Sequence, residues 1–197
     1  DNLYEAPLML EKYNFSEVVC RELNLKTAKP NLEEWKNLIC KIKNRNKEVT
    51  IGLVGKYVSL HDAYLSINEA LKHAGYELNT FVNIKWIDSE ELKEDNYENM
   101  LTGLDGIIIP GGFGNRGIEG MILAVKYARE NIIPFFGICL GMQVAVIEYA
   151  RNVANIKDAN SREFKEDCQN KVIDFMNGQS DGINKGGTLR RSEEHTS

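Results

Sequence analysis

Short apolar segments that end near glycine alternate with helical segments from residue 49 onward, and this alternation constrains the fold more than any other feature. The predicted strands are 49–55, 80–87, 104–109 and 134–138, and the predicted helices are 62–74, 117–130 and 140–153. Strand-like runs separated by helices of about 10–15 residues are typical of βαβ units and a parallel sheet. We therefore expect an α/β fold with a mostly parallel sheet flanked by helices. Its functional groups should lie on loops beyond the carboxyl ends of the strands.

The first 48 residues have a different pattern, rich in Glu, Lys, Asn and Leu. Residues 31–42 carry apolar side chains at the spacing of one helix face, which predicts a helix with Asn31 as its N-cap. The glycine at position 75 is predicted to end helix 62–74. A further short strand is predicted at 171–176. Residues 1–48 are thus expected to be irregular and helical, and the pattern changes at residue 49.

Composition excludes several classes of function. The chain has 197 residues and a net charge of −5, with no basic stripe of the kind that binds nucleic acid. No run approaches the roughly 18 apolar residues that a membrane helix needs. Its four cysteines are far apart and lack metal-ligand spacing, which indicates a reduced protein without a zinc site. We expect a cytoplasmic protein with no nucleic-acid or membrane partner and no metal in this region.

One cysteine has the setting of a nucleophile. Gly137-Ile138-Cys139-Leu140-Gly141 is a G-x-C-x-G sequence between a predicted buried strand and a predicted helix. It is the thiol counterpart of the nucleophile elbow, in which small residues allow a tight turn. The N–H groups at the start of the helix favour the thiolate, which is the attacking form. An isolated cysteine in such a run is more often structural, but the strand, turn and helix together favour catalysis.

A glycine-rich loop is predicted at the same edge of the sheet. The segment PGGFGNRG at 110–117 follows the third strand and matches neither the dinucleotide-binding nor the P-loop pattern. Such a loop is often only a flexible connection. Here it also offers backbone N–H groups close to the predicted nucleophile, and acyl transfer needs two donors that face the developing oxyanion. The N–H groups of Gly112 and Leu140 are the candidates.

Several segments give this chain a specific family resemblance. GICLGMQ resembles the nucleophile motif of class I glutamine amidotransferases, and PGGFGNRG resembles their oxyanion loop. GLVGKYVSLHDAY, RENIIPFFGICLGMQVAVIEYARN, DANSREF and KGGTLR then follow the order found in the CTP synthase family. The opening LYEAPLML resembles the exit from that family's synthetase domain. The resemblance covers residues 1–190 and implies a flavodoxin-like class I glutamine amidotransferase fold, incomplete at its C-terminus.

The resemblance also implies roles for particular residues. Cys139 would attack the side-chain amide of L-glutamine to form a glutamyl thioester and release ammonia. The positions that match the family's glutamine-binding residues are Gly112, Leu140, Gly141, Met142, Gln143 and Glu163. Glu163 would receive the α-ammonium group of the substrate. Phe113 and Arg116 match positions that meet GTP, the family's allosteric activator.

The remaining implications concern the parent protein. In the family, ammonia passes to a synthetase domain of the same chain, which uses ATP and magnesium (Mg2+) to aminate UTP to CTP. The expected parent is thus an ATP-dependent ligase of pyrimidine biosynthesis and a homotetramer. By this resemblance residues 1–48 are the end of the synthetase domain and the linker, and 49–190 are a partial amidotransferase domain. Residues 191–197 (RSEEHTS) resemble a translated sequencing adapter, which predicts a non-native tail.

The sequence departs from the family at the general base. The family takes a histidine and its orienting acid from an H-x-E motif far downstream of the nucleophile. His61, His73 and His195 are the histidines of this chain, and none is followed by x-Glu. We therefore expect the chain alone to be inactive.

Two alternatives stay open at this point. One is another class I amidotransferase, such as an enzyme that makes GMP or anthranilate. The other is a non-catalytic regulatory module with the same fold. The continuation of the gene discriminates between them, because an H-x-E motif after residue 190 supports an enzyme.

Overall fold

A computed structural model of the chain describes residues 2–174. The helices are α1 (Ala6–Glu11), α2 (Phe15–Glu22), α3 (Glu33–Lys43), α4 (Leu65–Glu77), α5 (Tyr97–Leu101), α6 (Ile118–Glu130) and α7 (Leu140–Asn152). The strands are β1 (Lys47–Gly55), β2 (Thr80–Asp88), β3 (Gly106–Ile109), β4 (Phe135–Gly137), β5 (Asn160–Ser161) and β6 (Lys171–Ile173). Short 3-10 turns occupy Leu3–Glu5 and His61–Tyr64. No helix within residues 2–174 is long and apolar enough to cross a membrane.

The described residues group into two compact units. The first contains residues 2–50 and 65–84, and the second contains residues 51–64 and 85–174. The domain boundary predicted from the sequence lay between residues 48 and 49, and it stays a prediction. The predicted tail at 191–197 and the KGGTLR segment lie outside the described residues.

The main sheet has four strands in the order β2-β1-β3-β4. β1 and β3 are parallel, with Leu53 opposite Ile108, and β3 and β4 are parallel, with Ile109 opposite Gly137. β3 is buried along its whole length, as expected for a strand covered on both faces. The parallel sheet flanked by helices is therefore confirmed. Its carboxyl edge brings the ends of β1, β3 and β4 together.

The core of the second unit is built around α6. Met121, Ala124 and Ala128 of this helix are almost fully buried, and they belong to one apolar cluster with Ile109 and Val144. Both faces of α6 are apolar, which is typical of a helix inside a domain rather than at its surface. The cluster extends from β3 to α7 and fixes the helix that follows Cys139.

The first unit has a smaller core of its own. Ile39, Ile42 and Tyr76 are buried together, and Tyr4 packs against them. The Tyr4 hydroxyl donates a hydrogen bond to Glu69 at 2.9 Å. Burial, together with this carboxylate, raises the pKa of Tyr4 to about 12. The N-terminal segment is thus attached to α4 through Tyr4.

Two local predictions were wrong. Asn31 is not the N-cap of α3; that position is Leu32, and the Asn31 side chain accepts a hydrogen bond from the Glu33 N–H at 3.1 Å. Gly75 does not end α4, because it lies buried inside the helix. A methyl group there would lie 2.6 Å from the Thr80 carbonyl oxygen, so the glycine permits close packing instead.

Other boundaries differ by a few residues. α5 is a helix of five residues that the periodicity did not predict. The strand predicted at 171–176 is observed at Lys171–Ile173, and residues 175 and 176 lie outside the described part of the chain.

A buried carboxylate links α6 to α7. The Glu148 side chain is 1% exposed and accepts hydrogen bonds from Arg129 Nε at 3.1 Å, Arg129 Nη2 at 2.8 Å and Asn152 Nδ2 at 3.0 Å. The hydrogen bonds that Arg129 donates to the Glu148 carboxylate raise the pKa of Arg129. Removing one partner of such a pair leaves an uncompensated charge in the interior.

We predict that Arg129→Met destabilises the chain. Breaking a buried ion pair costs about 3–5 kcal/mol, and the lower end applies because Arg129 is about one-third exposed. Urea denaturation followed by circular dichroism measures the change. Glu130→Gln is the matched control, since it removes only the exposed partner of the same arginine at 3.2 Å. Equal unfolding midpoints for the two variants would contradict this role of Glu148.

Candidate functional site

Cys139 occupies the turn between β4 and α7. Its backbone has φ 52° and ψ −100°, a combination that non-glycine residues rarely adopt and that costs about 1–3 kcal/mol. Its carbonyl oxygen accepts the Gln143 N–H at 3.1 Å and so begins α7, while Ile138 N–H donates to the Ile109 carbonyl at 2.9 Å. The side chain is exposed. The turn therefore presents a thiol at the N-terminus of a helix on the carboxyl edge of the sheet.

Two glycines make this turn possible. A methyl group on Gly137 would lie 2.4 Å from the carbonyl carbon of Gly141, and one on Gly141 would lie 2.1 Å from the carbonyl oxygen of Ile109. Both contacts involve backbone atoms, which cannot rotate away. The small residues two before and two after Cys139 are thus explained by a close approach of α7 to the ends of β3 and β4.

The glycine-rich loop lies beside the thiol. A Cβ built on Gly111 would be 3.7 Å from Cys139 Cβ, and one on Gly112 would be 3.1 Å from Leu140 Cδ2. Phe113, in the middle of the loop, is 54% exposed. The structure thus brings together the loop, the thiol and the first residue of α7.

A buried lysine donates hydrogen bonds to this loop. Lys56, the residue after β1, is 3% exposed, and its Nζ donates to the Phe113 carbonyl at 2.9 Å and to the Gly114 carbonyl. Burial and the nearby Arg116 lower the pKa of Lys56, while Glu163 and Glu90 oppose that shift.

Arg116 has three partners at the end of the loop. Its Nη1 pairs with Glu90 at 2.7 Å, and its Nη2 donates to the Lys56 carbonyl at 2.9 Å. Its guanidinium carbon lies 5.6 Å from the centre of the Tyr57 ring. The side chain is still about half exposed, so it can reach solvent while it holds the loop to β1.

The residues after Cys139 differ in burial. Leu140 and Gly141 are buried, whereas Met142 is 53% exposed. Within residues 2–174, Gln143 Oε1 is buried without a hydrogen-bond partner. Glu163 is half-buried, and its backbone N–H donates to Ser161 Oγ at 3.3 Å.

Both histidines in the described part of the chain contact aromatic side chains. His61 stacks on Trp86 with ring centroids 4.2 Å apart, and the Tyr4 hydroxyl contacts His73 Nε2 at 2.5 Å. His195 lies outside residues 2–174. Over that same range, no cluster of His, Cys, Asp and Glu is arranged to hold a metal ion.

Sequence reasoning missed the residues that support the loop. Lys56 was considered only as part of the GLVGKYVSLHDAY segment, and Glu90, the ion-pair partner of Arg116, was not considered. One signal was available, because Lys56 directly follows a buried strand whose carboxyl end meets the same edge as Cys139.

This fold and site define a class of protein. The family model for class I glutamine amidotransferases matches residues 59–191, and the chain belongs to that family. Within that family, the similar curated proteins reported below are CTP synthases. The chain is 54% identical over 189 residues to the CTP synthase of Carboxydothermus hydrogenoformans and 53% identical over 190 residues to that of Bacillus subtilis. Each match covers 96% of this chain but only 35% and 36% of the relative, so the chain spans about a third of their length.

A solved structure supports the same fold. The glutaminase domain of Trypanosoma brucei CTP synthase, with bound acivicin, matches with a TM-score of 0.64 and 43% identity. The match covers 68% of this chain and 52% of that one.

We predict that Gly141→Ala disturbs the turn at Cys139. The added methyl group would meet the Ile109 carbonyl oxygen at 2.1 Å, so α7 must shift, and overpacking of this kind costs about 1–3 kcal/mol. Gly111→Ala is the control, because its methyl group would make an ordinary contact at 3.7 Å. Urea midpoints and the rate at which iodoacetamide alkylates Cys139 measure both effects. A Gly141→Ala protein with the stability and thiol reactivity of Gly111→Ala would contradict the packing explanation.

Proposed function

We propose that this chain is the glutamine-hydrolysing part of a CTP synthase and supplies ammonia for the amination of UTP to CTP. The observation that carries the proposal is the exposed Cys139 in a strained turn beside the Gly111–Gly112 loop. Identity of 53–54% to CTP synthases across 96% of the chain supports the choice among class I amidotransferases.

The proposed chemistry begins with attack by the thiolate. Cys139 Sγ adds to the side-chain amide carbon of glutamine, and the amide oxygen becomes an oxyanion that the N–H groups of Gly112 and Leu140 receive. The C–N bond then breaks, and ammonia leaves with an added proton. A glutamyl thioester stays on Cys139. Water attacks this thioester to release glutamate and restore the thiolate.

Other polar groups suit the amino-acid end of the substrate. Glu163 is a half-buried carboxylate whose charge acts to raise the pKa of Lys56, and an α-ammonium group would make a charge-assisted hydrogen bond to it. Gln143 Oε1 is a buried acceptor whose partner a bound ligand would supply. The backbone of Gly141 and the stem of Met142 complete the proposed contacts.

The proton carrier of the reaction is proposed to lie outside this sequence. None of the three histidines has the H-x-E context of the family. General acid–base help contributes about 10²–10⁴-fold per step, so we expect the 197-residue chain alone to turn over glutamine slowly.

The rest of the proposal concerns the whole protein. It would be a cytoplasmic homotetramer whose synthetase domain uses ATP and Mg2+, with GTP as activator. Phe113 and Arg116 are proposed to contact GTP, since an exposed aromatic face and a guanidinium suit a purine nucleotide.

Replacement of the nucleophile tests the proposal in the full-length protein. Cys139→Ala should abolish glutamine-dependent CTP formation and leave ammonia-dependent CTP formation at the wild-type rate, because the two reactions use different domains. Cys40→Ala is the control, since Cys40 is also an exposed free thiol. Glutamine-dependent synthesis at the wild-type rate in Cys139→Ala would exclude this cysteine as the nucleophile.

Arg116→Ala tests the activator contact. We expect a weaker increase of glutamine-dependent activity on addition of GTP, with a smaller effect on the rate without GTP. Glu90→Ala is the matched variant, because it removes the 2.7 Å ion pair but keeps the guanidinium. A GTP titration of both variants decides, and an unaltered response in Arg116→Ala would count against a role in GTP binding.

A further inference from the structure

Lys56 is a charged side chain in an unusual place. It directly follows β1 and is 3% exposed, and its ammonium group donates to two backbone carbonyls of the glycine-rich loop, Phe113 at 2.9 Å and Gly114. Removing an ammonium group from water is costly unless hydrogen bonds compensate. Here the compensation comes from a loop that is 57 residues away in sequence.

The main chain of Lys56 is also fixed. The Tyr64 hydroxyl oxygen accepts the N–H groups of Lys56 at 3.1 Å and of Tyr57 at 3.2 Å, and Arg116 donates to the Lys56 carbonyl at 2.9 Å. Tyr64 is 5% exposed. Its ring has room because residue 55 is glycine, since a Cβ at that position would lie only 2.6 Å from the Tyr64 hydroxyl oxygen. These hydrogen bonds hold the main chain from which the Lys56 side chain extends.

The loop that Lys56 holds has little rigidity of its own. Three of the four residues from 111 to 114 are glycine, and glycine has the largest conformational freedom in a chain. The Lys56 stem also lies under Gly112, where a Cβ would be 3.7 Å from Lys56 Cδ and 3.8 Å from Cε. The lysine thus lies beside the proposed oxyanion donor and hydrogen-bonds to the carbonyls of the two residues that follow it.

We propose that Lys56 is a positioning residue that holds the glycine-rich loop so that the Gly112 N–H faces the oxyanion formed at Cys139. This inference rests on the proposed glutamine hydrolysis. Lys56 acts through the loop, because its Nζ is directed to the Phe113 and Gly114 carbonyls. An oxyanion donor contributes only when its position is fixed before the reaction.

The proposal predicts different effects on kcat and on KM for glutamine. Loss of Lys56 should misplace a donor that matters mainly in the transition state, so kcat should fall while KM for glutamine changes little. Loss of one oxyanion donor lowers kcat by about 10²–10³-fold, which sets the upper limit for a misplaced one. The turn at Cys139 is held by Gly137 and Gly141, so its thiol should keep its reactivity toward a small alkylating agent.

The test uses the full-length protein with Lys56→Met, Tyr64→Phe and the control Lys85→Met. Lys85 also donates to a backbone carbonyl, that of Met100 at 2.6 Å, but it is exposed and its acceptor is not part of the loop. For each variant we would measure kcat and KM for glutamine, the rate of ammonia-dependent CTP formation, and alkylation of Cys139 by iodoacetamide.

The expected result is a kcat for Lys56→Met that is reduced by roughly tenfold to a hundredfold, with KM, ammonia-dependent synthesis and alkylation close to wild type. Tyr64→Phe should give a smaller loss in the same direction, and Lys85→Met none. A wild-type kcat for Lys56→Met overturns the inference. So does a loss that appears only in KM.

Two further outcomes are decisive. If Lys56→Met unfolds the domain, iodoacetamide will alkylate Cys139 as fast as it does in the urea-unfolded protein. The kcat of Tyr64→Phe is then the test, and a wild-type value in that variant overturns the inference. If Cys139→Ala still uses glutamine, the proposed function fails, whereas an inactive Cys139→Ala beside a fully active Lys56→Met refutes the positioning role alone.

Discussion

The close approach of α7 to the end of β3 is the constraint on which the site depends. Gly141 lies so near the Ile109 carbonyl that a methyl group would be only 2.1 Å from it, and Gly137 is equally crowded by Gly141. Cys139 lies between β4 and this closely packed helix, and its backbone has φ 52°. The core around Met121 and Val144 supplies the packing energy that maintains this conformation.

A second layer of interactions brings the loop to the thiol. The loop follows β3, while Lys56 follows β1, and the parallel pairing of these strands places both at one edge. Lys56, which directly follows β1, donates hydrogen bonds to the loop carbonyls. Arg116, at the end of the loop, donates to the Lys56 carbonyl and forms an ion pair with Glu90. The site therefore depends on the order of strands in the sheet as much as on the motif around Cys139.

The sequence was informative where a local rule decides the outcome. Apolar runs predicted the parallel strands, and the glycine spacing around Cys139 predicted the tight turn, because both depend on neighbouring residues. Burial of Lys56 could not be predicted, since its acceptors are 57 residues away and only the folded topology brings them near. Gly75 was misread for a related reason: its contact is with the Thr80 carbonyl on β2, and a helix-ending glycine has the same appearance in sequence. The roles of the individual site residues remain predictions.

The covalent intermediate tests the central claim most directly. The full-length protein would be mixed with radiolabelled glutamine, quenched in acid during the first turnover, digested, and analysed by mass spectrometry. A glutamyl thioester on the peptide that contains Cys139 is the predicted result, and it should disappear on treatment with hydroxylamine. Label on a different residue, or labelled glutamate formed in that turnover with no adduct on Cys139, would contradict the account.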